Sequence, residues 1–346
     1  MMKIELEDNK FISFDEYDRL FFCGSNTQMK QKLVRSLKRF ANNKSLNELE
    51  EIVYGDNGLE IYRDDQLLNA KNIDIHFLQD NLSIYREVEF SKTSLMGSYI
   101  KSFSEKVEVN IELEEIKNHF LALETIVNND MKNVSDNISA NFLDLSFDLL
   151  IKNHLFLSYF DEHHDYPLEM MDAEILLDEY IQLLENQLSR LPKETWIVLI
   201  NPESFISQKG LAGLLKNFDE ISERTGQLKI FIISNLALVN QYSCDDIPKT
   251  IVLADEAYQM PDFDSFRKNI ENHYPTQVQS SDQELCQLFC EIVSDIGADP
   301  AATGKSAKSM VLLKVIDEIL GFDNLTFPNR FGELSELEKS YLLSKN

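Results

Sequence analysis

Residues 18–40 read DRLFFCGSNTQMKQKLVRSLKRF and give the strongest indication of how the chain folds. Residues 18–23 form an apolar run that is typical of a buried strand, and Gly24 ends it. Between Met29 and Phe40, apolar side chains recur at spacings of three and four, a period that indicates an amphipathic helix. The segment is therefore predicted to form a strand, a tight loop and a helix.

The loop matches the phosphate-binding motif G-x-x-x-x-G-K-[ST] at only two positions, Gly24 and Lys30. Met29 replaces the second glycine, and its Cβ atom would obstruct close approach of the backbone to a phosphate. Gln31 replaces the Ser or Thr whose hydroxyl ligates Mg²⁺. The sequence therefore predicts a degenerate P-loop.

The strands that would complete a P-loop site also lack their catalytic residues. Residues 196–200 have the apolar form of the strand that ends in a metal-binding Asp, but Asn201 follows them. Residues 229–234 form the next apolar run, and its end at Ser234 lacks the histidine that transporter ATPases place there. A helical pattern over residues 208–224 lies between the two runs, which predicts a parallel β–α–β unit. These features favour a P-loop scaffold without hydrolytic residues, and an unrelated α/β fold is the alternative.

The whole chain is predicted to have an α/β fold whose head is the parallel sheet of a degenerate, transporter-ATPase-like P-loop NTPase. Residues 1–84 and 192–260 form this head, which begins with a hairpin in residues 2–14. Residues 85–191 form an inserted α-helical domain, with one of its helices predicted over residues 142–159. The remaining residues, 261–346, are predicted to form a C-terminal helical extension.

Charge is distributed unevenly along the 346 residues, whose formal net charge is −26. Residues 25–44 contain six basic side chains and no acidic one, whereas residues 108–194 contain 19 acids and five bases. Nucleic-acid binding depends on Lys and Arg that neutralise phosphates, so an acidic chain needs a local cationic surface for it. The basic helix predicted after Gly24 offers such a surface.

Composition also predicts the cellular compartment of the protein. The four cysteines form no CxxC pair and lie among aliphatic residues, which favours buried, reduced thiols in the cytoplasm. No apolar stretch approaches the ~20 residues that a bilayer span needs, and no signal peptide fits before the first predicted strand. We therefore expect a cytoplasmic protein with no membrane partner.

Three groups of segments carry a resemblance to a known family: residues 2–6 with 20–23 and the helix after them, residues 59–66 with 73–76, and residues 196–207 with 229–233 and 247–253. They resemble the Csn-type accessory proteins, second of that series, of type II-A CRISPR systems. The resemblance covers roughly residues 1–260. The C-terminal residues exceed the short members of that family, so the chain looks like the long subfamily.

The resemblance implies a non-catalytic protein rather than an enzyme. Four chains of that family form a ring whose lysine-lined hole encloses double-stranded DNA, loads at linear ends and slides, without sequence readout. The homotetramer accompanies the CRISPR integrase and the RNA-guided effector nuclease during spacer acquisition. Family members also bind Ca²⁺ near the helical domain.

The candidate DNA-binding residues come from two sources. The basic helix contributes Lys32, Arg35, Lys38 and Arg39. Alignment with the family adds Arg63, Lys71, Lys132 and Lys152. For each residue, an ordinary solvated charge is the alternative interpretation.

The resemblance places candidate calcium ligands at Asp136, Asn141, Asp144 and Asp148. Asp144 and Asp148 are four residues apart in a predicted helix, so they would share one face. Calcium takes six to eight oxygen ligands, and no EF-hand spacing is present. A solvated acidic surface is the alternative.

Two other functions remain open on sequence alone. One is a P-loop ATPase with an atypical nucleotide site in residues 24–31. The other is a protein-interaction scaffold whose acidic helices bind a basic partner without contacting DNA. ATP turnover that depends on Lys30 would indicate the first, and DNA affinity that ignores the basic helix would indicate the second.

Overall fold

The structure of the protein is a computed structural model that divides the chain into two compact units. The first unit comprises Met1–Asp80 and Leu191–Asn346, and the second is Asn81–Arg190. The residues described are 1–7, 10–42, 48–54, 59–161, 163–191, 193–234, 242–298, 305–322, 327, 332 and 334–344.

Strands supply both sheets of the first unit and a hairpin of the second. Their bounds are β1 (Met2–Glu5), β2 (Phe11–Phe14), β3 (Arg19–Cys23), β4 (Ile61–Arg63), β5 (Gln66–Leu67), β6 (Ile73–Leu78), β7 (Ser158–Asp161), β8 (His164–Pro167), β9 (Glu194–Ile200), β10 (Leu228–Ile233), β11 (Thr250–Leu253) and β12 (Ala257–Gln259). The helices are α1 (Thr27–Asn42), α2 (Glu48–Tyr54), α3 (Asn81–Val88), α4 (Leu95–Lys101), α5 (Val107–Met131), α6 (Phe147–His154), α7 (Ala173–Arg190), α8 (Gln208–Thr225), α9 (Phe263–His273), α10 (Asp282–Ile292), α11 (Ala307–Leu320) and α12 (Glu336–Leu343).

The larger sheet of the first unit has the strand order β12–β11–β3–β10–β9–β6. All neighbouring pairs are parallel except β11 with β12. Strand β9 shows why, because residues 195–199 are all buried, as in parallel strands that are covered on both faces. The predicted parallel β–α–β unit is confirmed by β9, α8 and β10.

The smaller sheet is antiparallel, with the order β2–β1–β4–β5. In β2, Ile12 and Phe14 are buried while Phe11 and Ser13 are exposed, the alternation expected of a sheet with one solvated face. The predicted N-terminal pairing of two strands is confirmed. Its turn falls partly on residues 8 and 9, which lie outside the described residues.

Aromatic packing joins α1 to the larger sheet. Trp196 is fully buried on β9, stacks on Phe40 of α1 at 6.1 Å between ring centroids, and meets Phe231 of β10 edge-on at 5.2 Å. Leu33 and Leu37 are buried on the same face of α1 as Phe40. The apolar period that predicts the helix therefore also faces it toward the sheet.

The C-terminal helices α9 to α12 belong to the first unit. Residues 309–317 of α11 are all buried. Lys314 of α11 donates through Nζ to the carbonyls of Tyr341 at 2.6 Å and Ser344 at 2.7 Å, which ties the end of α12 to α11.

The second unit is packed unevenly. Helix α7 buries Leu177, Tyr180 and Leu184, and α3 buries Ile84 and Val88. The 25-residue helix α5, in contrast, buries Leu113 alone. None of the described helices combines the length and apolar character that spanning a bilayer requires.

The helix predicted over residues 142–159 is wrong in its extent. The helix spans only Phe147–His154, and Ser158–Asp161 pairs antiparallel with His164–Pro167. Tyr159, Phe160 and Tyr166 favour strands, and Pro167 cannot continue a helix. Asp144 consequently lies outside the helix that holds Asp148, so the two carboxylates do not share a helix face.

Candidate functional site

The loop that follows β3 is closed by the end of β11. Gly24 has a φ of +102°, a conformation that L side chains rarely adopt. A Cβ atom at Gly24 would lie 2.4 Å from the Leu253 carbonyl oxygen. Residues 24–30, the Gly24 loop, thus pass directly against the backbone of the neighbouring strand.

Several backbone N–H groups of the Gly24 loop have hydrogen-bond partners within the protein. The Asn26 N–H donates to the Leu253 carbonyl at 3.0 Å, and the Thr27 N–H donates to the Ser25 carbonyl at 3.0 Å. The Met29 N–H donates to Asn26 Oδ1 at 2.9 Å, the bond of a helix N-cap. A phosphate-binding loop instead directs such groups at the ligand. In the Gly24 loop, the acceptors of these N–H groups include Asn26 Oδ1 and the Leu253 carbonyl of β11 instead of a ligand.

Lys30 is turned into the protein. Its side chain is 5% exposed, and Nζ donates to the carbonyls of Gly24 at 2.9 Å and Ser234 at 3.1 Å. Burial lowers the pKa of Lys30. The ammonium group that a P-loop directs at phosphates therefore bridges the loop to the end of β10.

The ends of β9 and β10 lie beside the loop, as expected for parallel strands of one sheet. Asn201 follows β9 with a φ of 47°, and its N–H donates to the Ile233 carbonyl at 2.8 Å. The negative charge of Glu203, two residues further, acts to raise the pKa of Lys30, against the larger lowering by burial. One buried carboxylate oxygen of Glu203, Oε2, has no hydrogen-bond partner among the described residues. Sequence reasoning missed Glu203, because a metal-binding acid is expected at position 201. Asn235 lies outside the described residues.

The turn that follows α10 contacts the Gly24 loop. Ser25 Oγ donates to the Ile296 carbonyl at 2.7 Å. The next residue, Gly297, donates its N–H to Asp317 Oδ1 of α11 at 2.9 Å. Asp317 is 1% exposed, and its Oδ2 has no hydrogen-bond partner among the described residues. Burial, with the charges of Asp295 and Glu318 adding to it, raises the pKa of Asp317 to about 7.

Replacing Asp317 by asparagine is expected to stabilise the protein at alkaline pH. The pKa of the folded carboxyl is about 7 and its ordinary value is 3.8, so the native state holds the proton more tightly between these limits and stability falls as pH rises through them. Asparagine keeps an acceptor for Gly297 and carries no charge. We expect Asp317→Asn to raise the free energy of unfolding by about 2–4 kcal/mol at pH 8 and by under about 1 kcal/mol at pH 4.5.

Urea denaturation at the two pH values measures this difference. The control is Glu256→Gln, which removes one exposed carboxylate and is expected to change stability by under about 0.5 kcal/mol at either pH. An equal gain for Asp317→Asn at both pH values would show that its charge is not the cause.

The basic face of α1 is partly occupied by other protein groups. Lys32 lies 2.9 Å from Glu7 Oε2, and Arg35 lies 2.7 Å from Glu7 Oε1. Lys38 donates to Gln79 at 2.8 Å. Arg39 is half-buried. Arg35, 61% exposed, is the member of this group that is most open to solvent.

Arg63 is part of a structural ion-pair cluster. Its guanidinium donates to Glu194 from Nη1 at 2.9 Å and from Nη2 at 2.5 Å, and it lies 2.8 Å from Glu16. Trp196 Nε1 donates to Glu194 at 2.7 Å, and Lys229 pairs with Glu16 at 2.7 Å. The hydrogen bonds to Glu194 raise the pKa of Arg63. This geometry favours a role for Arg63 in joining β4 to β9.

Three other candidates, Lys71, Lys132 and Lys152, differ from Arg63 in being exposed. Within the part of the chain that the structure describes, no ion pair joins any of them to a carboxylate. Their ammonium groups are therefore available to an external anion.

The four candidate calcium ligands, Asp136, Asn141, Asp144 and Asp148, are all exposed. Among the described residues, no three histidine, cysteine, aspartate or glutamate side chains gather as a metal site. Calcium needs six to eight oxygens at about 2.3–2.6 Å. The arrangement does not fit a preformed calcium site, and calcium binding stays a prediction.

Comparison with solved structures identifies a protein of the same fold. The crystal structure of Stu0660 of Streptococcus thermophilus matches with a TM-score of 0.82 and 14% sequence identity, covering 99% of this chain and 99% of that one. The structure of CbiO1 from Clostridium perfringens, part of the ABC transporter complex CbiONQ, matches with a TM-score of 0.38 and 12% identity, over 79% of this chain and 95% of that one. No family model and no curated protein matches the sequence. The likeness to Stu0660 shows a shared fold, and the weaker likeness carries no argument.

Proposed function

We propose that this chain forms a homotetrameric ring that encloses double-stranded DNA without catalysing a reaction. Loading at linear ends and sliding follow from a closed ring that grips phosphates without reading sequence. The ring acts in spacer acquisition by a type II-A CRISPR system, beside its integrase and RNA-guided effector nuclease. This role rests on the sequence resemblance, and the fold shared with Stu0660 is compatible with it.

The observation that carries the proposal is the closed Gly24 loop. In this loop the Asn26 N–H donates to the Leu253 carbonyl, and the Met29 N–H donates to Asn26 Oδ1. Lys30 Nζ donates to two backbone carbonyls. Phosphoryl transfer by a P-loop depends on backbone N–H groups and a lysine that are directed at the phosphates. A degenerate P-loop head that serves as a scaffold accounts for the N–H groups that are already bonded and for the buried Lys30.

Charge distribution supports DNA as the ligand. The second unit contains 21 acids and eight bases, so most of its surface repels DNA. Lys71, Lys132, Lys152 and Arg35 are the exposed cations among the candidates. A few such cations in each subunit, multiplied by four, are sufficient for salt-sensitive phosphate contacts.

Exposed apolar side chains on α5 support assembly from several copies. Val107, Ile111, Leu121 and Ile126 are 69%, 55%, 60% and 60% exposed, and Leu123 is 49% exposed. Large apolar side chains that a monomer leaves exposed along one helix are surface that another subunit can cover. A closed oligomer covers such surfaces in pairs.

Linear duplex DNA is expected to bind more tightly than the same sequence in a closed circle. A ring that must load at ends cannot enclose a circle, and phosphate contacts make the affinity fall steeply with salt. Gel shifts across a salt series measure both effects, and light scattering measures the number of subunits. Equal binding to both topologies, or a monomer in solution, would contradict the ring. ATP turnover that is lost in Lys30→Ala would support an ATPase instead.

A further inference from the structure

Two cysteines that are far apart in the sequence meet at the start of α10. Cys244 begins a short 3-10 turn, Cys244–Asp246, that precedes β11, and Cys286 lies in α10. Cys244 Sγ donates to the backbone carbonyl of Asp282 at 3.5 Å. In an α-helix that carbonyl accepts the N–H of the residue four positions on, which is Cys286. The two thiols are therefore neighbours, and they are hydrogen-bonded to each other.

Contacts on both sides of Cys244 hold its turn against the protein. Tyr242 packs on Phe289 of α10, with 6.1 Å between the ring centroids. On the other side, Asp246 is fully buried and accepts from Arg19 Nη2 at 2.8 Å. The backbone that positions Cys244 is thus fixed to α10 and to β3. The meeting of the two sulfur atoms follows from the fold, and it does not depend on one side-chain rotamer alone.

The two thiols differ in their access to solvent. Cys244 is half-buried, whereas Cys286 is 1% exposed. Burial, together with the hydrogen bond to Cys244 and the negative charges of Asp282 and Asp245, raises the pKa of Cys286. Cys286 consequently keeps its proton at neutral pH. A dissolved oxidant reaches Cys244 first, and the Cys286 thiol is then in position to react with the oxidised sulfur.

We propose that Cys244 and Cys286 form a reversible disulfide when the protein meets hydrogen peroxide. The Cys244 thiolate attacks one peroxide oxygen and the O–O bond breaks, which leaves a sulfenic acid on Cys244 and a hydroxide that takes up a proton. The Cys286 sulfur then attacks the Cys244 sulfur. The S–S bond forms, and the sulfenic hydroxyl leaves with the Cys286 proton as water. Two thiols are oxidised, and one peroxide is reduced to two waters.

The disulfide joins the segment that leads into β11 to the C-terminal helices. A bond between positions 244 and 286 closes a long loop of the unfolded chain, so the oxidised protein is expected to unfold at a higher temperature. Disulfides in a reducing compartment are transient, and thiol reductants reverse them. This modification needs only one chain and is independent of DNA binding and of the ring.

Peroxide treatment of the reduced full chain, followed by thiol counting in denaturant, tests the proposal. Four free thiols are present before oxidation, and two are expected afterwards. The intact mass is expected to fall by two hydrogen atoms, and dithiothreitol is expected to restore both values. Retention of all four thiols would overturn the proposal. So would a gain of oxygen atoms without a cross-link, or a covalent dimer as the main product.

Three variants identify the partners in the bond. Cys244→Ser and Cys286→Ala are each expected to abolish the cross-link, and Cys244→Ser changes only a half-buried side chain, so it serves even if the other variant does not fold. The matched control is Cys290→Ala, which removes a buried thiol one turn further along α10 and is expected to oxidise as the unchanged protein does.

Thermal unfolding with and without peroxide gives a second readout for the same variants. Oxidation is expected to raise the melting temperature of the unchanged protein and of Cys290→Ala by at least about 2 °C, and that of Cys244→Ser not at all. A cross-link that persists in Cys244→Ser, or one that is lost in Cys290→Ala, would assign the bond to other cysteines and overturn the proposal.

Discussion

Alanine at position 24 is expected to destabilise the protein by at least about 4 kcal/mol, a loss at the extreme of single substitutions. The added Cβ would lie 2.4 Å from the Leu253 carbonyl oxygen and 2.7 Å from its backbone nitrogen. Both atoms belong to a strand that is fully buried, so they cannot move away cheaply. The φ of +102° adds strain that only glycine avoids. Chemical denaturation of Gly24→Ala measures the loss, and a protein too unstable to purify is the limiting result.

Gly226 provides the matched control. It ends α8 with a φ of +63°, but a Cβ there would meet no atom within 4 Å. Gly226→Ala is therefore expected to cost only about 1–2 kcal/mol, the strain of a left-handed residue. If the two variants are equally stable, the Gly24 loop does not pass against β11 as described. The difference between them thus tests the close contact between the Gly24 loop and β11.

The strand, loop and helix at residues 18–40 are predictable from sequence because each depends on neighbours in the chain. The apolar run forms β3, and the spacing of Leu33, Leu37 and Phe40 forms the buried face of α1. A loss of phosphate binding is predicted from Met29 and Gln31, and it stays a prediction. The geometry adds contacts that the sequence does not indicate, since the Asn26 N–H donates to the Leu253 carbonyl and the Met29 N–H donates to Asn26 Oδ1. No local pattern shows that residue 253 lies beside residue 24, since sheet order depends on long-range packing.

Arg63 shows the same limit for a candidate site residue. Alignment selects it as a cation, and a sequence contains no sign that Glu194, 131 positions away, accepts two of its hydrogen bonds. The helix predicted over residues 142–159 fails for a local reason, because an aromatic-rich segment fits either a helix or a hairpin strand. The sequence also does not show which apolar side chains stay exposed. The helical pattern of α5 therefore does not predict that Leu113 is its only buried residue.

The exposed lysines are expected to control DNA affinity, in contrast to Arg63. Changing Lys71, Lys132 and Lys152 together to glutamate removes three cations per subunit and adds three anions. In a ring of four subunits the change is repeated four times. We expect affinity for linear duplex to fall at least about 100-fold at 0.1 M salt, and the slope of log affinity against log salt to decrease by several units, since each lost phosphate contact removes about 0.9.

The comparison is a triple variant with the same change in net charge, Lys209→Glu, Lys216→Glu and Lys268→Glu. These lysines are also exposed but are not candidates for DNA contact. General repulsion between a more acidic protein and DNA would weaken both variants alike, because the two variants have the same net charge. Salt screens such repulsion between distant charges within about 8–10 Å. Loss of direct phosphate contacts by Lys71, Lys132 and Lys152 would weaken only the first. The salt slope separates the two causes, because only direct phosphate contacts release condensed counterions from the duplex. Equal losses of DNA affinity in the two triple variants would therefore contradict a specific role for Lys71, Lys132 and Lys152 in DNA binding.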